Sequence, residues 1–110
     1  MAKYEKMLYG DFQELLDRLH QAVMDGSMTA SYEEGSDYHQ DGFDCAIRVY
    51  ERYSALGGNR VSMTVVLTGQ RGAYFLSAIT SGGSQAMFFK MNTGGEEAFL
   101  QTIADVAEDL

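Results

Sequence analysis

The chain has 110 residues, a length that predicts one domain with a core of its own. Hydrophobic residues make up 45% of it and charged residues 22%, a globular composition that excludes a disordered chain. Sixteen Asp and Glu residues against eight Lys and Arg residues give a net charge of −8, which disfavours binding to nucleic acids or to anionic membranes.

The chain begins with a predicted strand and continues with a predicted helix. Lys3 to Tyr9 is assigned to the strand, although its alternation is weak. Asp11 and Glu14 form a capping box that starts the helix, and Gly26 is expected to end it in a left-handed conformation. The apolar stripe of this helix comprises Phe12, Leu15, Leu16, Leu19 and Val23.

After this helix the hydrophobic period is two, which is typical of antiparallel strands with one buried face. The predicted strands span residues 28–33, 43–50, 60–68, 73–80 and 86–91. Gly57–Asn59 and Gly69–Gly72 have the composition of hairpin turns. The residues of the second and third of these strands that are predicted to face the core are Phe43, Cys45, Ile47, Val49, Val61, Met63, Val65 and Leu67.

A second helix is predicted after residues 92–95, with Thr93 and Glu96 as its capping box, and runs to the end of the chain. Its apolar stripe comprises Phe99, Leu100, Ile103, Val106, Ala107 and Leu110. The order β-α-β(5)-α predicts an α+β fold, a single curved antiparallel sheet with two helices on one face, in a helix-grip or TATA-box-binding-protein-like arrangement. That architecture indicates no function by itself.

Two stretches carry a resemblance: RVYERYSALGGNRVS (residues 48–62) and FLSAITSGGSQAMFFKMNTGGEEAFL (residues 75–100). Together with the MAKYEK start and the C-terminal helix, they resemble a family of small bacterial proteins known only as a domain of unknown function. The resemblance extends over nearly the whole chain. It implies no activity, substrate or catalytic residue, so function has to be argued from the residues themselves.

A glycine pair between Ser81 and Ser84 could present backbone amides to an anion, and these two serines are candidate ligand-binding residues. Phosphate-binding loops run from a strand into a helix, whereas this stretch is predicted to join two strands, which favours an ordinary hairpin. A second pair, Gly94–Gly95, opens the last helix. Glu96 and Glu97 in the first turn of that helix would repel an anion.

A basic cluster is predicted in the middle of the chain. Arg48, Tyr50 and Arg52 share one face of a strand, and Arg60 begins the next strand. If those strands pair, the guanidinium groups gather around a tyrosine ring and could bind a carboxylate or phosphate ligand. The alternative is a solvated outer face, on which nearby acidic side chains pair with the arginines.

The stretch from Asp37 to Gly42 is similar to the first half of a calcium-binding loop. His39 stands where calcium needs an oxygen ligand, and Arg48 stands where it needs a bidentate Glu, so an acidic hairpin loop is the favoured interpretation. The residues that could hold a transition metal loosely are Asp37, His39, Asp41 and Asp44.

Cys45 is the only cysteine, so an intrachain disulfide is excluded. With His39 it could form a nucleophile and base, but its place among apolar residues favours a small buried hydrophobe. His20, at the edge of the first helix's stripe, is expected to be a boundary residue. No cofactor is predicted. Without an apolar run of signal-peptide length at the start or the ~20 apolar residues of a membrane span, the predicted location is the cytoplasm.

Three functions follow from these observations. The first is a non-enzymatic binding module with an apolar pocket between the sheet and the C-terminal helix, entered past Arg48 and Arg52. The second is a homo-oligomer or protein-interaction module, because the strands within 74–79 and 87–89 are apolar on both faces and need two covers. An enzyme ranks third, because few titratable groups are expected to converge in a cleft.

Overall fold

The computed structural model describes residues 1–53, 60–82 and 91–110 of the chain. These ranges contain β1 (Ala2–Tyr9), α1 (Phe12–Gly26), β2 (Ser31–Gln40), β3 (Phe43–Tyr53), β4 (Arg60–Gln70), β5 (Ala73–Gly82) and α2 (Met91–Ala107). The predicted turn at Gly57–Asn59 lies outside the described residues. So does the predicted strand at 86–91, apart from Met91, which begins α2.

The five strands form one open antiparallel sheet in the order β1-β5-β4-β3-β2, so that the first strand pairs with the last. Asp41-Gly42 joins β2 to β3, and Arg71-Gly72 joins β4 to β5. Both residues of each pair have positive φ, as in the type I′ turn whose twist suits an antiparallel hairpin. One antiparallel sheet with two helices confirms the predicted α+β class.

The face of the sheet that packs against both helices, here called the inner face, carries the hydrophobic core. Its buried side chains are Leu8, Ala46, Tyr50, Val61, Met63, Val65, Leu67, Tyr74, Leu76, Ala78 and Thr80. The opposite side, here called the outer face, carries the intervening positions, of which the apolar ones in the middle of the sheet are Met7, Phe43, Cys45, Ile47, Val49, Val66, Phe75 and Ile79. The four core residues predicted on β4 are confirmed.

α1 begins where the sequence predicts. The carboxylate of Asp11 accepts a hydrogen bond of 3.0 Å from the backbone N–H of Glu14, and all five residues of the predicted stripe are buried. The predicted left-handed stop is wrong, because Gly26 does not have positive φ and Ser27 follows it in an extended conformation. Gly26 instead allows the close approach of α2.

α2 begins at Met91, earlier than predicted, so Thr93 lies within the helix and the predicted capping box is wrong. Glu96 is buried, and its Oε1 lies 2.5 Å from the amino nitrogen of Met1. The helix ends at Ala107. The residues that bury it against the core are Phe99, Ile103, Ala104 and Ala107, with Leu100 and Leu110 partly buried beside them.

β2 differs most from the prediction. The strand was expected at 28–33 with an acidic loop at 37–42, whereas it runs from Ser31 to Gln40. It is an edge strand that pairs only with β3 and is exposed along most of its length. Because neither face of it is deeply buried, its sequence lacks the alternation by which strands are recognised.

The face of β3 that packs against the helices is the opposite of the predicted one. Ala46 lies directly opposite Leu67, and Tyr50 lies opposite Met63. Directly paired residues share a face, so these two side chains enter the core. The predicted core residues lie instead on the outer face: Phe43, Cys45, Ile47 and Val49.

Candidate functional site

The candidate ligand-binding residues are divided between the two faces of the sheet. Arg48, Tyr50 and Arg52 occupy successive inner-face positions of β3. Arg60 pairs with Tyr53 and Ser81 pairs with Ser62, and both pairs lie on the outer face. Ser84 lies outside the described residues.

Arg60 and Ser81 each have a partner on the outer face. A guanidinium nitrogen of Arg60 lies 3.0 Å from Glu51 Oε1, and its central carbon lies 5.2 Å from the centre of the Tyr53 ring. The hydroxyl oxygen of Ser81 lies 3.1 Å from that of Ser62. The expected gathering of Arg60 with Arg48 and Arg52 is therefore wrong, because neighbouring positions on paired strands alternate between faces.

Arg48 is held by groups of its own chain. Its Nη1 lies 2.9 Å from Asp37 Oδ1 and donates a hydrogen bond of 2.9 Å to the carbonyl of Ile47. The side chain is mostly buried, and the Tyr32 hydroxyl lies beside it over Gly35, which has no side chain to obstruct either group. These bonds indicate that Arg48 fixes β2 to β3.

Tyr50 is buried beneath α1. Its hydroxyl oxygen lies 2.8 Å from Nδ1 of His20, and the two rings pack with that of Tyr32 at centre-to-centre distances of 5.6–5.7 Å. Burial raises the pKa of Tyr50 to about 12, against a smaller opposing effect of the Arg48 charge. His20 is therefore the bonding partner of Tyr50, a role that its place at the edge of the helical stripe indicates only indirectly.

Arg52 differs from Arg48 and Arg60 in its surroundings. Its guanidinium carbon lies 5.1 Å from the centre of the buried Phe99 ring of α2, and burial lowers its pKa, although a guanidinium keeps its proton in proteins. Within the described part of the chain it forms no ion pair with a carboxylate. Residues 54–59 and 83–90 contain no Asp or Glu that could supply one. Arg52 is thus a half-buried cation without a carboxylate partner.

The acidic stretch before Phe43 forms a hairpin. Asp37 is paired with Arg48, and Nδ1 of His39 lies 2.6 Å from Asp44 Oδ1 across the strands. Asp41 occupies the turn itself. In residues 1–53, 60–82 and 91–110, no three His, Cys, Asp or Glu side chains converge as metal ligands would.

The two groups of the sequence-derived nucleophile and base lie apart. Cys45 projects from the outer face of β3, where it is half-buried. His39 pairs with Asp44, and both lie on the side of the sheet that faces the helices, where the His39 ring contacts Phe12 at 6.1 Å between centres. Because the sheet separates them, His39 does not act as the base of Cys45 in this structure.

A groove of about 630 Å³ lies between α1 and α2. Both of its walls are helical: Ala22 and Gly26 lie on one side, and Thr102 and Val106 lie on the other. It is therefore not the sheet-to-helix pocket predicted from the sequence. The described side chains between sheet and α2, such as Leu76 and Ile103, belong to the packed core.

These features define an α+β protein with an open five-stranded antiparallel sheet. The two helices pack against its inner face, and the half-buried Arg52 of β3 contacts Phe99 of α2. The chain belongs to the family of unknown function DUF6054, whose sequence model matches residues 1–110. No curated protein matches it. In the part of the chain that the structure describes, no helix has both the length and the apolar character needed to cross a membrane.

Proposed function

We propose that this chain is a non-enzymatic binding module, and that Arg52 holds the carboxylate or phosphate group of a small molecule. The observation that carries the proposal is the half-buried guanidinium of Arg52, which packs on Phe99 and lacks a carboxylate partner. Removing a cation from water costs free energy that a bound anion recovers.

The geometry around Arg52 favours an anion over a neutral ligand. A cation–π contact with Phe99 uses none of the five N–H donors of the guanidinium. Those donors match both oxygens of a carboxylate or phosphate, and hydrogen bonds between charged groups are the strongest kind in proteins. Arg48, four residues earlier on the same face, is occupied by Asp37 and supports the strand instead.

Binding without catalysis accords with the state of the histidines. His20 is bonded to the buried Tyr50, and His39 is bonded to Asp44. Each histidine is thus engaged in a structural pair, whereas an enzyme needs titratable groups that converge on a reacting group in a cleft. The proposed site lies where β3 meets α2, the proposed arrangement of a helix lying across a sheet is of the helix-grip kind, and the proposed location is the cytoplasm.

The test follows the side chain of each arginine by NMR. The chain has five arginines, so five Nε–Hε signals are expected and can be assigned with single variants. Inorganic phosphate, acetate and octanoate are titrated at constant ionic strength. The proposal expects a saturable shift of the Arg52 signal with at least one probe. An Arg52→Gln variant should weaken that binding roughly tenfold or more, because it loses bonds to a charged group.

Arg60 offers a matched control. It packs on an aromatic ring at nearly the same distance as Arg52, but it is paired with Glu51 and lies on the outer face. Arg60→Gln should leave the affinity unchanged. Binding of the same affinity in a folded Arg52→Gln protein, followed by the backbone amide signals, would show that Arg52 is not a ligand-binding residue. So would a set of probes that moves no arginine signal saturably.

A further inference from the structure

The outer face of the sheet carries an uncovered apolar surface. Its exposed apolar side chains include Met7, which is 42% exposed, Ile79, which is 40% exposed, and Phe75 and Ile47, each 37% exposed. Met7 on the edge strand β1 pairs with Phe75 on β5, and Val66 on β4 lies between β5 and Ile47 on β3. Single exposed apolar residues are normal, whereas a contiguous patch marks an interaction surface.

The patch crosses four strands. Cys45, Thr68, Phe75 and Met7 form one row through the registers of these strands. The next row contains Ile47 and Val66 and becomes polar at Ser77 and Glu5, toward the β1 edge. On the inner face the same strands are covered by α1 and α2. In the described part of the chain no helix or strand lies on the outer face. A sheet that is apolar on both faces needs a cover on each. The described helices and strands supply the cover of the inner face and none for the outer face.

The dimensions of the outer face match those of a dimer interface. Strands of about ten residues at about 3.3 Å per residue, five of them at about 4.8 Å spacing, give an area of roughly 800 Å². A standard stable interface buries about 800 Å² on each partner. A second copy stacked face to face would cover the patch in one contact.

The charges on the outer face favour a second copy over a basic or acidic partner. The strand positions on this face carry Lys3 and Arg60 against Glu5, Glu34 and Glu51, and Glu33 at the bulge bonds to Ser31 on the same face, a sum of −2, although the whole chain has a charge of −8. Lys3 lies 3.9 Å from Glu5, and Arg60 lies 3.0 Å from Glu51. Two acidic chains can therefore approach through this face with little repulsion, while a basic protein would find more negative charge elsewhere.

The β2 edge of the sheet is unsuited to self-association. This strand carries Glu33, Glu34 and Asp37 and has a bulge between Tyr32 and Glu34. Charged side chains and bulges on an edge strand discourage pairing with another chain. Association through this edge is therefore disfavoured.

We infer that the outer face is the interface of a homodimer, in which two copies stack sheet against sheet about a two-fold axis. Each copy presents the same apolar centre with charges toward its margins, which is the self-complementary surface that such symmetry requires. The contact of Ile47 and Phe75 with their partner-copy counterparts lies in the middle of the interface.

The first test measures the mass of the protein in solution over a range of concentrations by light scattering and sedimentation. The wild-type chain should have twice the chain mass. The double variant Ile47→Asp, Phe75→Asp should raise the dissociation constant at least tenfold, because it places carboxylates in the centre of an apolar contact. Met28→Asp is the matched control, since Met28 is fully exposed outside the sheet, and it should remain a dimer.

Cys45 provides a second measurement that needs no substitution. It is the only cysteine and lies within the patch, so the rate of its alkylation should fall as the protein concentration rises. A monomer at all concentrations, or a dimer that survives the double variant, overturns the inference. If the double variant unfolds, the alkylation rate decides: a rate that does not fall over the concentrations at which the mass doubles also overturns it.

Discussion

Gly26 of α1 and Thr102 of α2 are in such close contact that a Cβ on Gly26 would lie 2.7 Å from the Cβ of Thr102. Real Cβ atoms do not approach a neighbour so closely. The Thr102 Cβ is fixed to the helix backbone and cannot swing away, so the absence of a side chain at Gly26 sets the distance between the two helices. This contact explains a glycine that its backbone conformation does not require.

Replacing Gly26 with alanine should therefore destabilise the protein. Overpacking typically costs about 1–3 kcal/mol, while alanine gains at most about 1 kcal/mol over glycine in a helix. The overpacking term is the larger, so we expect Gly26→Ala to lower the free energy of unfolding by about 1–2 kcal/mol. Urea denaturation followed by circular dichroism measures it.

A double-mutant cycle tests whether Thr102 is the cause. Thr102→Gly removes the Cβ and Cγ2 that a Cβ at Gly26 would meet, so Gly26→Ala should cost less stability in that background than in the wild type. Equal losses in the two backgrounds would show that the helix contact is not the reason for Gly26.

Tyr50 makes the free energy of unfolding depend on pH in the alkaline range. Burial holds its pKa at about 12, against 10 in the unfolded chain, so between these values the unfolded state loses a proton that the native state keeps. Stability from this group is fully present below pH 10 and is lost as pH rises toward 12. Tyr50→Phe should make the decline of the unfolding free energy in this window shallower, in urea titrations at pH 9 to about 11.5.

A second tyrosine with a raised pKa, Tyr4 on β1, complicates this measurement. Burial and a hydrogen bond to Glu108 raise its pKa to about 12 as well, so part of the decline should remain in Tyr50→Phe. Tyr9→Phe is the control, because Tyr9 is exposed at the end of β1. Parallel curves for wild type and Tyr50→Phe would contradict the assignment.

The sequence predicts the inner face of β4 correctly and that of β3 wrongly, for one physical reason. On β4 the apolar residues alternate with polar ones, so only one face suits a core. On β3 both faces are apolar in part, and more of the apolar side chains lie on the outer face. Which face is buried depends on pairing with β4, where Tyr50 meets Met63, and single-strand alternation contains no information on pairing.

The same limit applies to the candidate site. The sequence places Arg48, Tyr50 and Arg52 together on one face, and the structure agrees. That Asp37 pairs with Arg48 while Arg52 packs on Phe99 depends on contacts between distant segments. The separation of Arg60 from the cluster also follows from register, since it pairs with Tyr53 and not with Arg52.

The turn between β4 and β5 contains a residue that is poorly suited to it. Arg71 has φ of 56° at the first position of a type I′ turn, which asparagine and glycine prefer. Its side chain is exposed, so little packing is lost on replacement. We expect Arg71→Asn to raise the free energy of unfolding by about 0.5 kcal/mol, as measured by thermal and urea denaturation.

The equivalent position of the other hairpin is the control. Asp41 has φ of 52°, and aspartate already tolerates this conformation. Asp41→Asn should therefore change stability very little. A gain at Asp41 as large as that at Arg71 would show that asparagine stabilises this turn position whichever residue it replaces, and that arginine is not unusually unsuited to it.

The ion pair of Arg48 and Asp37 should contribute more to stability than an exposed pair of the same sheet. The Arg48 side chain is mostly buried, and the two groups are 2.9 Å apart, whereas Lys3 and Glu5 are 3.9 Å apart and exposed. Water screens the exposed pair, and double-mutant cycles on such pairs give about 0–1 kcal/mol. We expect a coupling of about 1 kcal/mol for Arg48→Met with Asp37→Asn, and close to zero for Lys3→Met with Glu5→Gln.

The first coupling should persist in 0.5 M sodium chloride, because burial limits screening at short range. Equal couplings, or loss of the Arg48 coupling in salt, would mean that this pair does not fix β2 to the sheet and that the bulged edge strand is held by backbone hydrogen bonds alone.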